Sequence, residues 1–262
     1  AAPDPGGFAA DERARYARHV ALREIGEPGQ RRLREARVLV VGAGGLGAPA
    51  LLYLAAAGVG TLGVVDPEEV EPSNLQRQVI HRTADIGRPK VRSAADAIAA
   101  LNPHVRVLTY HRPLTAAIGA ALFADFDLIL DGTDGWAAHA LCNEAAVAAG
   151  RPLIAGALSR WEGQLSLWHP AGGGPCRACV FAEAPAPDLA PSCAEAGVAG
   201  PLPGVLGAMM ALEAVKWIAG AGTPLRGRIL LLDGLGAEAR VLEVEARPGC
   251  AVCGGRGAGA SG

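Results

Sequence analysis

Arg37-Val-Leu-Val-Val-Gly42-Ala-Gly-Gly-Leu-Gly47 is an apolar run that breaks straight into a glycine turn. An Ala/Leu stretch follows and stops at Gly58, and a second apolar run, Gly63-Val-Val, ends in Asp66. Together they read as strand, turn, helix and strand, with an acid at the second strand's tip. A G-x-G-x-x-G pattern alone says little, but here it sits between a strand and a helix, which marks a nucleotide cradle. Gly42, Gly44 and Gly47 permit a tight turn, close approach of backbone to phosphate, and close helix packing. The helix N-terminus adds free N–H groups and positive potential. Asp66, 19 residues past Gly47, is placed to accept ribose hydroxyls.

Further along, the chain carries groups that a dinucleotide enzyme does not need. Ser73-Asn74-Leu75-Gln76-Arg77-Gln78 and Lys90 put an amide and two cations after the ribose acid. Attack on an α-phosphate builds negative charge that fixed cations must meet. Asp131-Gly-Thr-Asp134 ends another apolar run. In an open α/β sheet that position lies across the cleft, where a carboxylate holds Mg²⁺ together with phosphate oxygens.

Strands are expected at 37–41, 61–65, 105–109, 126–130 and 152–156, alternating with helices at 46–57, 90–100, 115–123 and 136–148. Two charged helices, 11–20 and 29–36, precede them. After 156 the pattern changes to an antiparallel strand at 163–169, a Pro/Ala/Gly-rich loop at 170–203, a helix at 204–219 and strands at 227–232 and 239–245. The expected fold is α/β: a Rossmann-like, mostly parallel sheet with N-terminal helices, continued by antiparallel strands and a zinc-clipped C-terminal part. Residues 1–10 and 255–262 read as a disordered lead and tail around one domain, 11–254. Its nucleotide-binding half is expected at about 36–156 and its partner-binding half at about 157–254.

Half of the 262 residues are hydrophobic, and the net charge of −2 argues against nonspecific nucleic-acid binding. The uncharged run Val38–Val65 is long enough to cross a bilayer, but its seven glycines and Pro49 fit a buried strand, helix and strand better. No secretory signal is visible, so a cytoplasmic setting without membrane contact is expected. Of six cysteines, Cys176, Cys179, Cys250 and Cys253 form two Cys-x-x-Cys pairs. Such spacing suits a closed, structural tetrahedral Zn²⁺ site. Two redox pairs or free thiols are the other readings. Cys142 reads as a core residue, and Cys193 as a loop thiol that is either a nucleophile or inert.

These motifs stand in one order with Gly87-Arg-Pro-Lys90, Pro175-Cys-Arg-Ala-Cys179 and Cys193-Ala-Glu-Ala-Gly-Val198. The whole resembles the MoeB/ThiF family of sulfur-carrier adenylyltransferases over about residues 11–254. The resemblance implies an enzyme that takes ATP·Mg²⁺ and the C-terminal Gly-Gly carboxylate of a ubiquitin-like sulfur carrier. It would make an acyl-adenylate and release pyrophosphate, ahead of sulfur transfer for molybdopterin, thiamine or related products. By position, Gly45 matches a backbone contact to the nucleotide and Asp66 the ribose ligand. Ser73, Leu75 and Gln76 belong to the nucleotide-binding run, in which Asn74 and Arg77 match phosphate contacts. Lys90 matches the α-phosphate cation and Asp134 the Mg²⁺ ligand. Arg18 matches an arginine that reaches into a partner subunit's site, which implies a homodimer. The cysteine matching Cys193 is a candidate acyl or sulfur relay. No rhodanese domain follows, so sulfur is expected from a separate sulfurtransferase or cysteine desulfurase.

The sequence departs from this family at Gly135, where an asparagine is usual, and at His139, where an arginine is frequent. Both departures fall beside the expected ATP site. A peptide or small carboxylate as acceptor is the alternative within the same fold. A nicotinamide dehydrogenase and a non-catalytic, zinc-stapled scaffold are alternatives of other classes.

Overall fold

The structure, a computed structural model, describes residues 7–184 and 197–254. Strands β1 (Arg37–Val41), β2 (Thr61–Val65), β3 (Arg106–Tyr110), β4 (Leu128–Asp131) and β5 (Leu153–Ser159) run parallel in the spatial order 3-2-1-4-5. β6 (Glu162–Trp168), β7 (Arg228–Asp233) and β8 (Glu238–Glu243) extend the same sheet antiparallel. Chain order reverses between β1 and β4, so a crevice opens beyond their carboxyl ends.

β1 shows how the sheet is held. Its apolar residues alternate between the two faces, and Val38 to Val41 are at most 3% exposed. Val38 and Val40 join Leu62, Val64, Leu128 and Leu130 on one face. There they pack with residues of α3 (Gly47–Ala57), α4 (Lys90–Leu101) and a C-terminal helix, Pro201–Ala219. Leu39 and Val41 join Ile129 and Leu153 on the other face, with Phe123 of α5 (Ala116–Ala124) and Cys142 of α6 (Trp136–Ala149). Cys142 is thus the core residue expected. Helices α1 (Ala10–Val20) and α2 (Gly26–Glu35) precede the sheet.

Several boundaries differ from the sequence reading. β4 begins at Leu128, two residues later than expected; just before it the Asp127 carboxylate accepts the Arg37 N–H at 2.9 Å and the Asp127 N–H donates to the Arg37 carbonyl at 2.8 Å. β5 runs on to Ser159, since β6 pairs with all seven of its residues. The expected loop at 170–203 contains a 3₁₀ turn (Pro170–Gly172) and helix α7 (Arg177–Val180). It also contains the first turn of α8 (Pro201–Ala219), where proline costs no hydrogen bond. Residues 1–6 and 255–262, in the expected lead and tail, lie outside the described residues, and so does Cys193. Among the described residues α8 alone is long and apolar enough to cross a bilayer; half of its apolar window is buried in this fold, with Leu206 and Met210 in the core.

The crevice depends on one backbone contact. A β-carbon on Gly47 would lie 1.8 Å from the Gly42 carbonyl oxygen. Gly42 itself has φ 91° and sits against Gly132 at the end of β4. Gly47→Ala is therefore expected to destabilise the fold by about 1–3 kcal/mol. Thermal unfolding should show a fall of several degrees in Tm. An unchanged Tm would mean that the turn can open without cost.

Candidate functional site

The glycine turn is fixed by groups on both sides of one peptide. The Ala43 N–H donates to Asp66 Oδ2 at 2.8 Å, and the Glu68 N–H donates to Asp66 Oδ1 at 2.8 Å. His81 Nε2 lies 2.9 Å from the Ala43 carbonyl oxygen, which can only accept, so this nitrogen carries a proton. Its Nδ1 lies 2.8 Å from Ser93 Oγ. Burial is the main force lowering the His81 pKa, and the Lys90 charge adds to it. Asp66 is thus at the strand tip where it was expected, and both of its oxygens already hold backbone N–H groups.

Lys90 opens α4 and is 2% exposed. Its Nζ pairs with Glu68 Oε2 at 2.5 Å, a carboxylate whose own side chain is 67% exposed. Arg77 is half-buried and donates from Nη1 to the Ser73 carbonyl at 2.9 Å. Asn74 is buried and accepts the Glu71 N–H at 3.1 Å, so it shapes the 3₁₀ turn Pro72–Asn74. Ser73 and Gln76 are exposed, and Leu75, Gly44 and Gly45 are half-buried. Gln78 is 4% exposed, its Nε2 lies near Gly44, and its Oε1 has no hydrogen-bond partner. An orphaned buried acceptor beside a glycine turn fits a ligand that brings a donor there.

The two acids after β4 separate in role. Asp131 is fully buried; its Oδ1 accepts from Thr133 N–H at 3.1 Å and Thr133 Oγ at 2.6 Å. Its Oδ2 accepts from His139 Nδ1 at 2.8 Å. Burial alone would raise the Asp131 pKa, but His139 and Thr133 outweigh it and the carboxyl is held below its usual range. Asp134 is exposed and remains for a cation. His139, at the position where an arginine is frequent in the family, turns inward and holds the loop through Asp131. Arg18 is exposed on α1.

Four sulfurs gather away from these loops. The Sγ–Sγ distances are 3.9 Å for Cys176–Cys179, 3.7 Å for Cys176–Cys250 and 3.6 Å for Cys179–Cys253. All four atoms lie within 4.8 Å of one another. Thiolates about 2.3 Å from one tetrahedral ion stand roughly 3.8 Å apart, whereas a disulfide needs about 2.05 Å. The cluster could hold a metal ion such as zinc, and its geometry is not that of two disulfides. Burial opposes ionisation of Cys250, yet the N–H groups of Cys253 and Val252 prevail and bring its pKa to about 6. Burial and neighbouring sulfurs push Cys176 up. The Cys142 thiol is also pushed well up, chiefly by burial.

The sequence reading put the glycines, Asp66, Arg77, Lys90 and Asp134 at the site, and the structure brings their segments to one crevice. It overlooked His81, Glu68 and Asp131 as shaping groups, and it quoted Gln78 without a role. An isolated histidine carries no spacing signal, and only the fold brings His81 to Ala43.

Comparison with known proteins places the chain among relatives. The ThiF family model matches residues 16–252. The chain is 49% identical over 241 residues to the probable adenylyltransferase/sulfurtransferase MoeZ of Mycobacterium tuberculosis, covering 91% of this chain and 62% of that protein. It is 47% identical over 248 residues to the sulfur carrier protein adenylyltransferase of Thermus thermophilus, covering 93% and 92%. A crystal structure of E. coli MccB with AMPCPP and MccA superposes with a TM-score of 0.80 at 20% identity, over 93% of this chain and 74% of that one. The chain thus spans under two thirds of the length of the first relative.

Two outcomes follow from these contacts. His81 is held neutral in the fold, while an unfolded histidine titrates at about 6.5, so its contribution to stability is present above that pH and lost below it. Tm is expected to fall as pH drops from 6.5 toward 5, and His81→Gln should flatten part of that slope. His169, also lowered by burial, should contribute in the same sense. Separately, Cys176→Ser should lose bound metal and melt several degrees lower; full metal content with an unchanged Tm would remove the site.

Proposed function

Because the chain belongs to the ThiF family, we propose that it is an adenylyltransferase acting on the C-terminal Gly-Gly carboxylate of a ubiquitin-like sulfur carrier. The reading is supported by one observation: the glycine turn, Asp66 with the Glu68–Lys90 pair, and the loop that starts at Gly132 stand at the carboxyl ends of the adjacent parallel strands β2, β1 and β4. The names of the relatives support the choice of reaction.

The chemistry suits these residues. A carboxylate is already ionised at neutral pH and needs no general base. One of its oxygens bonds to the α-phosphorus of ATP as the bond to the bridging oxygen breaks, and that electron pair leaves with pyrophosphate. The nucleotide would lie with its phosphates over the glycine turn and the N-terminus of α3, and its ribose at Asp66. Lys90 and Arg77 neutralise charge at the α-phosphate, with Lys90 exchanging Glu68 for a phosphate oxygen. Asp134 would hold Mg²⁺, which supplies charge neutralisation for the phosphates. Gln78 Oε1 offers an acceptor to the bound nucleotide. Arg18 of a second copy completes the site in a homodimer. The four cysteines hold zinc in a structural role. Sulfur reaches the activated carboxylate from a sulfurtransferase or a cysteine desulfurase, with Cys193 as the candidate relay. The setting is cytoplasmic.

ATP–pyrophosphate exchange tests the reading. Exchange is expected only with a Gly-Gly carrier, and it should vanish when the carrier's last glycine is removed. Lys90→Ala should lower the exchange rate about 10²–10³-fold, the loss expected for a donor to developing charge. Exchange that ignores the carrier, or that survives Lys90→Ala undiminished, would reject it.

A further inference from the structure

Arg177 lies between Cys176 and Cys179 in the chain, yet its guanidinium packs elsewhere. It stacks 4.4 Å from the Trp136 ring and 5.0 Å from the Phe181 ring, and the residue is only 7% exposed. Its backbone N–H donates to Asn143 Oδ1 at 2.8 Å. Trp136 is the first residue of α6 and Asn143 stands two turns further along the same helix. One residue of the cysteine loop therefore grips α6 at two points.

Asp134 lies immediately before this helix, joined to it only through Gly135, whose φ is 86°. On its other side Asp131 ties the loop down through Thr133 and His139. His139 and Arg177 line one small cavity of about 10 Å³, room for a single water. The Asp131 carboxylate also favours the Arg177 charge. The two anchorages thus adjoin, with Asp134 suspended between them.

We propose that Arg177 is a positioning residue: by clamping Trp136 it fixes the start of α6, and with it Asp134, to the cysteine cluster, so that the clip sets how well the cleft takes Mg²⁺-bound nucleotide. This rests on the reading of Asp134 as the Mg²⁺ ligand. Arg177 touches neither nucleotide nor carrier in this scheme. Its effect is specific to the metal-dependent part of binding.

The test compares the parent, Arg177→Met, Trp136→Leu and the double variant by calorimetric titration with ATP, once with excess Mg²⁺ and once in desalted buffer with no added divalent cation. Metal content per chain and Tm are read alongside. Each single variant should weaken ATP·Mg²⁺ binding about tenfold and leave metal-free ATP binding nearly unchanged. The double variant should be no weaker than the worse single one, because both changes remove one interaction. Arg177→Met should keep its cysteine-bound metal. Single variants that bind ATP·Mg²⁺ like the parent would overturn the proposal, as would equal losses with and without Mg²⁺. Should Arg177→Met fail to fold or lose the clip metal, Trp136→Leu, which leaves the cysteine loop untouched, decides alone. A parent that binds neither form of ATP would instead refute the nucleotide site itself.

Discussion

Two turns of backbone occupy space that no side chain can share, and the crevice is built on that approach. The Gly42 carbonyl stands where a β-carbon of residue 47 would have to be, and Gly132 closes on the same turn from β4. The sheet's own hydrogen bonds continue into this region: the Gly42 N–H reaches the Val65 carbonyl, and the Gly132 N–H reaches that of Val41. Two acids at the tips of the strands that flank β1 then fasten the turns, Asp66 through Ala43 and Asp131 through Thr133. Fixed N–H groups and dipoles, settled before a ligand arrives, are what preorganised electrostatic stabilisation requires.

The charged pair beside the turn is deliberately unequal in burial. Lys90 is almost fully enclosed, while Glu68 is mostly in water. An exposed carboxylate gives up such a contact at little cost. The enclosed ammonium, by contrast, needs an anion at all times. Glu68 thus gives the enclosed ammonium a partner that is itself free to move into water.

How much of this was legible in the sequence varies by the range of the interaction. Strands β1 and β2, the turn between them and the Asp66 tip could be read because the apolar alternation and the glycine spacing are local signals. The two Cys-x-x-Cys pairs could be matched across 74 residues because the chemistry of four thiolates restricts their partners. The extension of β5 to Ser159 was not visible, since it depends on pairing with β6. Neither was the role of His81, which reaches the glycine turn from 38 residues away, nor the inward turn of His139, which follows from the depth of Asp131. Long-range polar contacts leave no periodicity, so a sequence shows the residue types without their partners.

The cysteine cluster also carries a consequence for the order of assembly. Its two halves are contributed by α7 and by residues after β8, with the last three strands of the sheet ordered around the loop that they close. Everything that forms the nucleotide crevice up to Asp134 is synthesised 116 residues before Cys250. At roughly 5–20 residues per second that is a delay on the order of ten seconds. The glycine turn and its flanking strands are therefore made well before the clip can close. Cys176 and Cys179 must wait for Cys250 and Cys253 while the intervening residues are made, open meanwhile to oxidation or to the wrong metal, and the rate of translation sets how long that wait lasts.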